Sequence, residues 1–504
     1  MPQDLAAFLL SAAGLAALVG VGEALRTSGR ATAEVSRGVV HVGVGVFVAL
    51  TPFFFREPTW IYGLAAAFVL LNGVAAGRGW LKGMHGIRRR SAGTVTFPLA
   101  LIVALWVAWT VDAERVFALQ IAFLILAISD PLAALVGTRV QRPGRYRVGG
   151  GEKSVAGTLA FGMSAFVLTA GALWAFRTSG TLGWSLGEIG FAALVVAVVT
   201  GAVEALGGRG WDNFFIVLAA IVVLVYFEEH PAARPWLGIA VGAGVIFGVA
   251  AFRLQFLDPS GAVAGGLLAA SLVGVGGWRW AVPSLTFFVL SSLLSKAARS
   301  WKASARALEE KTDVRDAGQV YANGGVGWGL LLLHAVYPSE VLYWSFLGAF
   351  AAAAADTWAT ELGTLSGRPP RLLFSMRRVP AGTSGAVSGL GTASAFLGAA
   401  VVVGSGWVVL GMEDALYLGM PWLGAGVVLG GFLGALADSI AGATFQAQYR
   451  DAQTGQATER ATSLHEPNLL VRGRRWIDND RVNLFCTLTG AVAAMAWALG
   501  TGLL

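Results

Sequence analysis

The chain is 504 residues long and has a single cysteine, Cys486, set inside an apolar run. One thiol excludes an internal disulfide and any cysteine-built metal centre, and leaves packing as its role. Charge is scarce as well. Asp, Glu, Lys and Arg make up 13% of the chain against 56% hydrophobic residues, and the mean hydropathy is +0.67. No soluble globular chain of this length needs so much apolar surface, so the composition predicts an all-α polytopic membrane protein. No low-complexity stretch is present, and no basic residue precedes the first apolar run, which follows Asp4. A cleaved signal needs a positive leader, so this run is expected to persist as a helix. The stretch Gly149-Gly150-Gly151-Glu152-Lys153-Ser154 lacks the glycine that a P-loop sets before its lysine, and it follows a membrane span rather than a strand. A Walker-type site is excluded.

What is present is a long series of apolar runs. Those of about 17 residues or more number about sixteen. If alternate loops face the cytoplasm, 31 of the 36 Lys and Arg residues fall on the inner side, and only Arg56, Arg115, Arg177, Arg234 and Arg279 lie outside it. Such asymmetry is the positive-inside rule, and it places both termini outside the cytoplasm. The net charge of +7 is spread over short loops rather than gathered in a soluble domain, so no nucleic-acid partner is expected. The expected setting is a bacterial inner membrane.

The chain also repeats itself, in polar residues, at an offset near 226. Arg90-Ser91-Ala92-Gly93-Thr94-Val95 recurs as Arg315-Asp316-Ala317-Gly318-Gln319-Val320. Asp130, seven residues before Gly137, recurs as Asp356, seven before Gly363, and Lys153-Ser154 has a looser echo in Thr383-Ser384. The acidic, proline-containing turn around 228–235 divides the chain into domains 1–230 and 235–504. Eight spans in each make the two halves parallel repeats, entering the membrane with the same orientation.

The polar residues gather at the inner ends of the expected helices, where ionisable groups are costly and functional by default. Carboxylates without histidine or cysteine partners favour a hard cation, so Asp130, Asp356 and Asp438 are candidate Mg²⁺ ligands. Glycine-rich turns, basic loops and helix N-termini favour phosphate oxygens. On this reading Arg90, Lys153, Ser154, Gly157 and Asn213 form one phosphate-binding set, with Ser154 capping a helix. Arg315, Asn323, Gly382, Thr383, Ser384, Asn479 and Asn483 form the other, with Ser384 as the cap. Asp130, Lys153, Asp356 and Asp438 are the candidate catalytic residues, and Arg37, His41, Glu204 and Glu361 the candidate substrate contacts. Phosphoryl transfer asks a protein chiefly for positioning, metal and positive charge, so neither set needs an obvious general base.

The first half resembles the membrane kinases that phosphorylate lipid alcohols with CTP, the dolichol and phytol kinases. The shared residues are Glu34, Arg37 and His41, then Arg90, Gly93 and Phe97-Pro98, then Asp130 to Gly137, Lys153-Ser154, Gly157-Thr158 and Asp212-Asn213. The second half is similar to another integral-membrane family, whose plant member is a phytyl-phosphate kinase. That likeness runs through Arg315, Asn323, Asp356 to Gly363, Val379 to Ser388, Asp438-Ser439, Gly442, Gln446, and Asn479 to Asn483. The two resemblances together imply consecutive steps: phytol or a similar isoprenoid alcohol to the monophosphate, then monophosphate to diphosphate. CTP or another nucleoside triphosphate would be the donor, and membrane lipid the surroundings. Competing readings are a membrane cytidylyltransferase, which uses similar Asp/Lys sites, and a transporter with parallel repeats. Polar residues clustered at one face rather than at the midplane speak against the transporter.

Overall fold

The computed structural model describes residues 2–29, 32–78, 93–142, 144–148, 151–208, 210–303, 314–373, 376–379, 383, 385–414, 419–455, 457–463 and 466–501. It divides into two compact units, Met1–Gly238 and Ile239–Leu504. Among the described residues, eleven helices are long and apolar enough to cross a membrane. The expectation of sixteen spans is not established by that number.

The first unit contains α1 (Pro2–Thr27), α2 (Ala33–Leu50), α3 (Thr59–Arg78), α4 (Gly93–Leu105), α5 (Val116–Arg139), a hairpin of β1 (Arg145–Val148) and β2 (Gly151–Ser154), α6 (Val155–Thr178), α7 (Leu186–Leu206) and α8 (Asp212–Glu229). Helix α5 is its centre. Phe117 to Phe123 and Ile125 to Ala127 are buried without a break, so α5 touches protein on every side. A helix hydrophobic all round and buried all round is an interior helix. Polar clamps tie it and its neighbours together: the Gln120 amide donates to the Ala49 carbonyl, and the Asn213 amide to that of Gly93.

Helix α9 (Arg234–Arg253) is followed by α10 (Pro259–Ala303), which breaks at Gly277, where φ is +64°. A left-handed residue interrupts the helix, and glycine adopts that conformation without the Cβ penalty. Next come α11 (Ala317–Val336), α12 (Glu340–Gly363), a hairpin of β3 (Arg371–Leu372) and β4 (Ala386–Val387), α13 (Gly389–Glu413) and α14 (Pro421–Thr444). The chain then forms a small lobe of β5 (Gln448–Arg450), β6 (Ala457–Thr458), β7 (Thr462–Ser463), β8 (Glu466–Pro467) and β9 (Leu469–Arg472), and ends in α15 (Asn479–Gly500). Helix α12 is the centre of the second unit, buried from Leu342 through Ala355. Its alanines let neighbours approach at backbone range. A Cβ on Gly434 would sit 2.5 Å from the Ala352 methyl, and one on Gly490 would meet the same methyl at 2.5 Å. Small residues at helix contacts are how membrane helices gain van der Waals packing where lipid offers no hydrophobic drive.

Three of the five arginines expected outside the inner segments are neutralised where they stand. Arg115 pairs with Glu229, Arg234 with Glu188, and Arg279 with Glu340. The Arg234 and Arg279 guanidinia also cover aromatic rings, at 4.5 Å from the Phe227 centroid and 4.1 Å from that of Tyr343.

Candidate functional site

Each unit holds one carboxylate centre, built on its central helix. In the first unit Pro131 follows Asp130 on α5, and the helix runs on to Arg139. The chain returns through the β1–β2 hairpin, whose last residues are Lys153 and Ser154. Ser154 is the N-cap of α6 and accepts from the Gly157 N–H at 3.1 Å. The cap is wedged. A Cβ on Gly137 would lie 2.5 Å from the Ser154 hydroxyl, and one on Gly157 would lie 2.8 Å from both that hydroxyl and the Ala133 carbonyl. Both glycines are therefore required by close approach of α5 and α6.

The wedge aims Lys153 inward. Its ammonium lies 2.6 Å from Glu204 of α7 and 3.7 Å from Asp212 at the start of α8. Glu204 also accepts from the Thr158 hydroxyl at 3.1 Å, and Thr158 in turn meets the Tyr146 hydroxyl at 2.8 Å. Burial pulls the Lys153 ammonium down, but Glu204 and Asp212, with help from Asp130, outweigh it and hold the ammonium above its ordinary lysine value. Lys153 is therefore a fixed cation at neutral pH. Burial likewise pushes the Tyr146 phenol up. Asp130 stands in the field of Asp212, His41, Lys153 and Glu204. His41 of α2 bonds the Leu126 carbonyl at 3.1 Å and lies 3.9 Å from Asp130.

In the second unit, Asp356 of α12 and Asp438 of α14 are joined side chain to side chain. Buried Cys486 lies in the field of both, its thiol 3.6 Å from the Ala352 carbonyl. One oxygen of Asp438, Oδ1, is buried without a hydrogen-bond partner. Two apposed carboxylates with an orphaned oxygen suit a hard cation, which takes oxygen ligands. Among the described residues, no group of three or more His, Cys, Asp or Glu side chains is arranged to hold a metal ion.

The helix-cap wedge recurs here with other residues. Ser388 is the N-cap of α13, accepts from the Gly391 N–H at 3.1 Å and donates to the Gly363 carbonyl at 3.2 Å. A Cβ on Gly391 would meet the Ala359 carbonyl at 3.0 Å, and one on Gly363 would meet the Ser388 hydroxyl at 3.1 Å. Ser388, not Ser384, is therefore the geometric counterpart of Ser154, and Val387 stands where Lys153 does. Fifty residues after each cap comes a carboxylate, Glu204 in one unit and Asp438 in the other.

The remaining residues singled out in the sequence are dispersed. Arg90, Gly382 and Ser384 lie outside the described residues. Arg37 is exposed on α2. The Asn213 amide is occupied by Gly93, and the Asn323 amide by the Gln319 carbonyl of its own helix. Arg315 bridges to Leu257 ahead of α11, its guanidinium 5.9 Å from the Phe287 ring centroid. The Thr383 carbonyl accepts from Ala386 in the turn before β4. Glu361 lies half-buried near the end of α12, and Asn479 and Asn483 sit on the first two turns of α15, exposed and half-buried respectively. The structure adds Tyr146 and Glu459 to the neighbourhood of the two centres, and brings into them Thr158, Asp212 and Ser388, which in the sequence carried only the resemblance. The Ser388-x-x-Gly391 spacing, which copies Ser154-x-x-Gly157, was the signal available for one of them.

Residues 242–491 match the family described as integral membrane protein DUF92. An uncharacterized membrane protein of Methanocaldococcus jannaschii, MJ0933, is 31% identical over 197 residues, covering 38% of this chain and 76% of its own. Protein PGR of Arabidopsis thaliana is 28% identical over 283 residues, covering 52% and 95%. The phytol kinase of Synechocystis is 31% identical over 215 residues, covering 42% and 88%. No solved structure matches the chain. Through residues 242–491 the chain belongs to the integral membrane protein family DUF92.

Proposed function

We propose that the protein is a bifunctional isoprenoid-alcohol kinase. The first unit converts phytol or a similar alcohol to its monophosphate, and the second converts the monophosphate to the diphosphate. CTP or another nucleoside triphosphate is the donor, with Mg²⁺, at the cytoplasmic face. The observation that carries the reading is the pair of centres built to one plan: an aspartate late on the central helix, a wedged serine cap on the next helix, and a second carboxylate fifty residues beyond the cap. The relative named phytol kinase, matched over 88% of its length, supplies the chemistry.

In the first unit Lys153 is held by Glu204 and Asp212 as a permanent positive charge for phosphate oxygens, and Asp130 completes the centre with His41 beside it. In the second, Asp356 and Asp438 would hold Mg²⁺, which supplies charge neutralisation for the transferring phosphoryl group. Mg²⁺ ordinarily takes one or two protein carboxylates and completes its shell with water and substrate phosphates, so a two-carboxylate site is sufficient. The helix N-termini capped by Ser154 and Ser388 lie beside these centres and favour anions.

The test uses purified full-length protein and CTP labelled at the γ-phosphate. Transfer of that label to phytol, and separately to phytyl monophosphate, is expected. Product carrying the α-phosphate instead would make the protein a nucleotidyltransferase. Asp130→Asn should lower alcohol phosphorylation by at least about 100-fold and spare the second step, and Asp356→Asn the reverse, the size expected for losing one preorganised electrostatic group. Equal loss of both steps from either substitution would rule out two independent sites.

A further inference from the structure

The connection after the second carboxylate differs between the units. In the first, residues 207–211 lead straight from α7 to α8. In the second, the β-lobe of 445–478 lies between α14 and α15. The lobe is ordered by its own bonds. The buried Asn468 side chain holds the Arg460 carbonyl, the Ser463 hydroxyl and the Ala452 N–H. The Asp451 carboxyl is drawn down to about 2 by the Ser463 hydroxyl and the Thr454 and Gln453 N–H groups. Glu459 of the lobe acts electrostatically on both Asp356 and Asp438.

Arg472, the last residue of β9, joins the lobe to α14. Its Nη2 donates to the Gly442 carbonyl at 3.0 Å, one helical turn beyond Asp438. Its Nε is buried and has no hydrogen-bond partner. Arg115, Arg234 and Arg279, three other half-buried arginines, each carry a glutamate partner. Arg472 has none among the described residues. Arg115 and Arg279 share such an orphaned Nε, so what sets Arg472 apart is the missing carboxylate: a half-buried guanidinium held by one carbonyl can take an anion, and its planar fork matches phosphate.

We infer that Arg472 docks the phosphate of the phosphomonoester acceptor in the second unit. This rests on the proposed two-step reading. Both units would use a nucleoside triphosphate, so the donor gives no reason for an extra lobe in one of them. The acceptors do differ: a neutral hydroxyl in the first step, an anionic phosphate in the second. An anionic acceptor approaching two carboxylates needs a cation to hold it, and a neutral one does not. In the step itself an ionised acceptor oxygen forms a bond to the γ-phosphorus of the donor. The bond from that phosphorus to the bridging oxygen breaks, its electron pair leaves on the nucleoside diphosphate, and no proton has to be removed from the acceptor. Arg472 orients the acceptor phosphate and takes no part in bond making.

Full-length Arg472→Gln and Arg472→Lys proteins would be assayed for both steps. Arg472→Gln should raise KM for the isoprenoid monophosphate roughly 10- to 100-fold, as loss of a charge-assisted contact does. KM for the nucleotide and the rate on the alcohol should stay unchanged, and Arg472→Lys should recover part of the loss. An unchanged monophosphate KM, or a rise in nucleotide KM instead, overturns the assignment. Thermal shift with a non-reacting alkyl phosphate separates this inference from the kinase reading. If the wild type turns nothing over but is stabilised by the alkyl phosphate, and Arg472→Gln is not, the anion site stands and the kinase reading falls. If both proteins shift alike, the anion site falls.

Discussion

The two units place the same framework around opposite charge arrangements. In the first, the carboxylate fifty residues past the cap, Glu204, is met by Lys153 at 2.6 Å. In the second, the residue ahead of the cap is Val387, and Asp438 faces Asp356 instead. One centre carries its own cation, and the other joins two carboxyl groups and leaves one oxygen orphaned. The wedge of Ser154 with Gly137 and Gly157, and of Ser388 with Gly363 and Gly391, is constant, so the difference lies in the side chains mounted on it.

The largest expected effect follows from that contrast and has opposite signs in the two units. Glu204 is 6% exposed and Lys153 21%, so the pair is largely removed from water. Glu204→Gln leaves a buried ammonium short of its main partner and should cost about 3–5 kcal/mol of stability. Because the Lys153 pKa is raised, the pair contributes below the ordinary lysine value. Its contribution is lost only as pH climbs through that raised value, so the deficit of the variant should be full at neutral pH and shrink in strong alkali. Asp438→Asn replaces one of two apposed carboxyl groups that must share a proton when no metal lies between them, and in Mg²⁺-free buffer should be neutral or stabilising by roughly 1–4 kcal/mol, while abolishing the second step. Thermal unfolding of both variants in detergent checks this, and the same sign for both would break the comparison.

A transplant gives a smaller effect. Val387→Lys puts an ammonium where the first unit has one. It should pair with Asp438 and raise Tm in Mg²⁺-free buffer by about 2–4 °C for each kcal/mol gained. The variant should also lose dependence of its stability on Mg²⁺ and lose monophosphate turnover. A fall in Tm, as for an unpaired buried charge, would mean that Val387 does not occupy the lysine position.

Much of this was legible in the sequence, and the failures have physical causes. The seven residues from Asp130 to Gly137 recur from Asp356 to Gly363 because each pair lies on one unbroken helix, and the fifty from cap to carboxylate recur although a turn lies within them in both units. The loop before the cap is not conserved in length. Seventeen residues separate Gly137 from Ser154, but twenty-five separate Gly363 from Ser388, so the echo of Lys153-Ser154 in Thr383-Ser384 falls short of the true cap. The span count was less legible. Helices α3, α8, α11 and α12 are not among the eleven that satisfy length and hydropathy together among the described residues. Helix α12 is enclosed by protein from Leu342 to Ala355, so packing rather than lipid sets its composition, and alanine serves better than leucine. Arg472 had no sequence signal, because a cation without a partner is recognised only once its surroundings are known.

The smallest effect should be equal in the two units. Ser154 and Ser388 each accept one N–H at 3.1 Å from the residue three positions on, in the same extended cap conformation. Replacing either with alanine removes that acceptor from a helix N-terminus at a typical cost of about 1 kcal/mol. The neighbouring glycines leave little room for a larger capping side chain, since even a Cβ on Gly137 or Gly363 would come within 2.5 or 3.1 Å of the serine hydroxyl. Ser154→Ala and Ser388→Ala should therefore lower stability alike, whatever the charges of their centres. Should Ser154→Ala cost several times more than Ser388→Ala, the cap would be coupled to Lys153 rather than independent of it. The framework and the side chains it carries could then no longer be treated as separate layers.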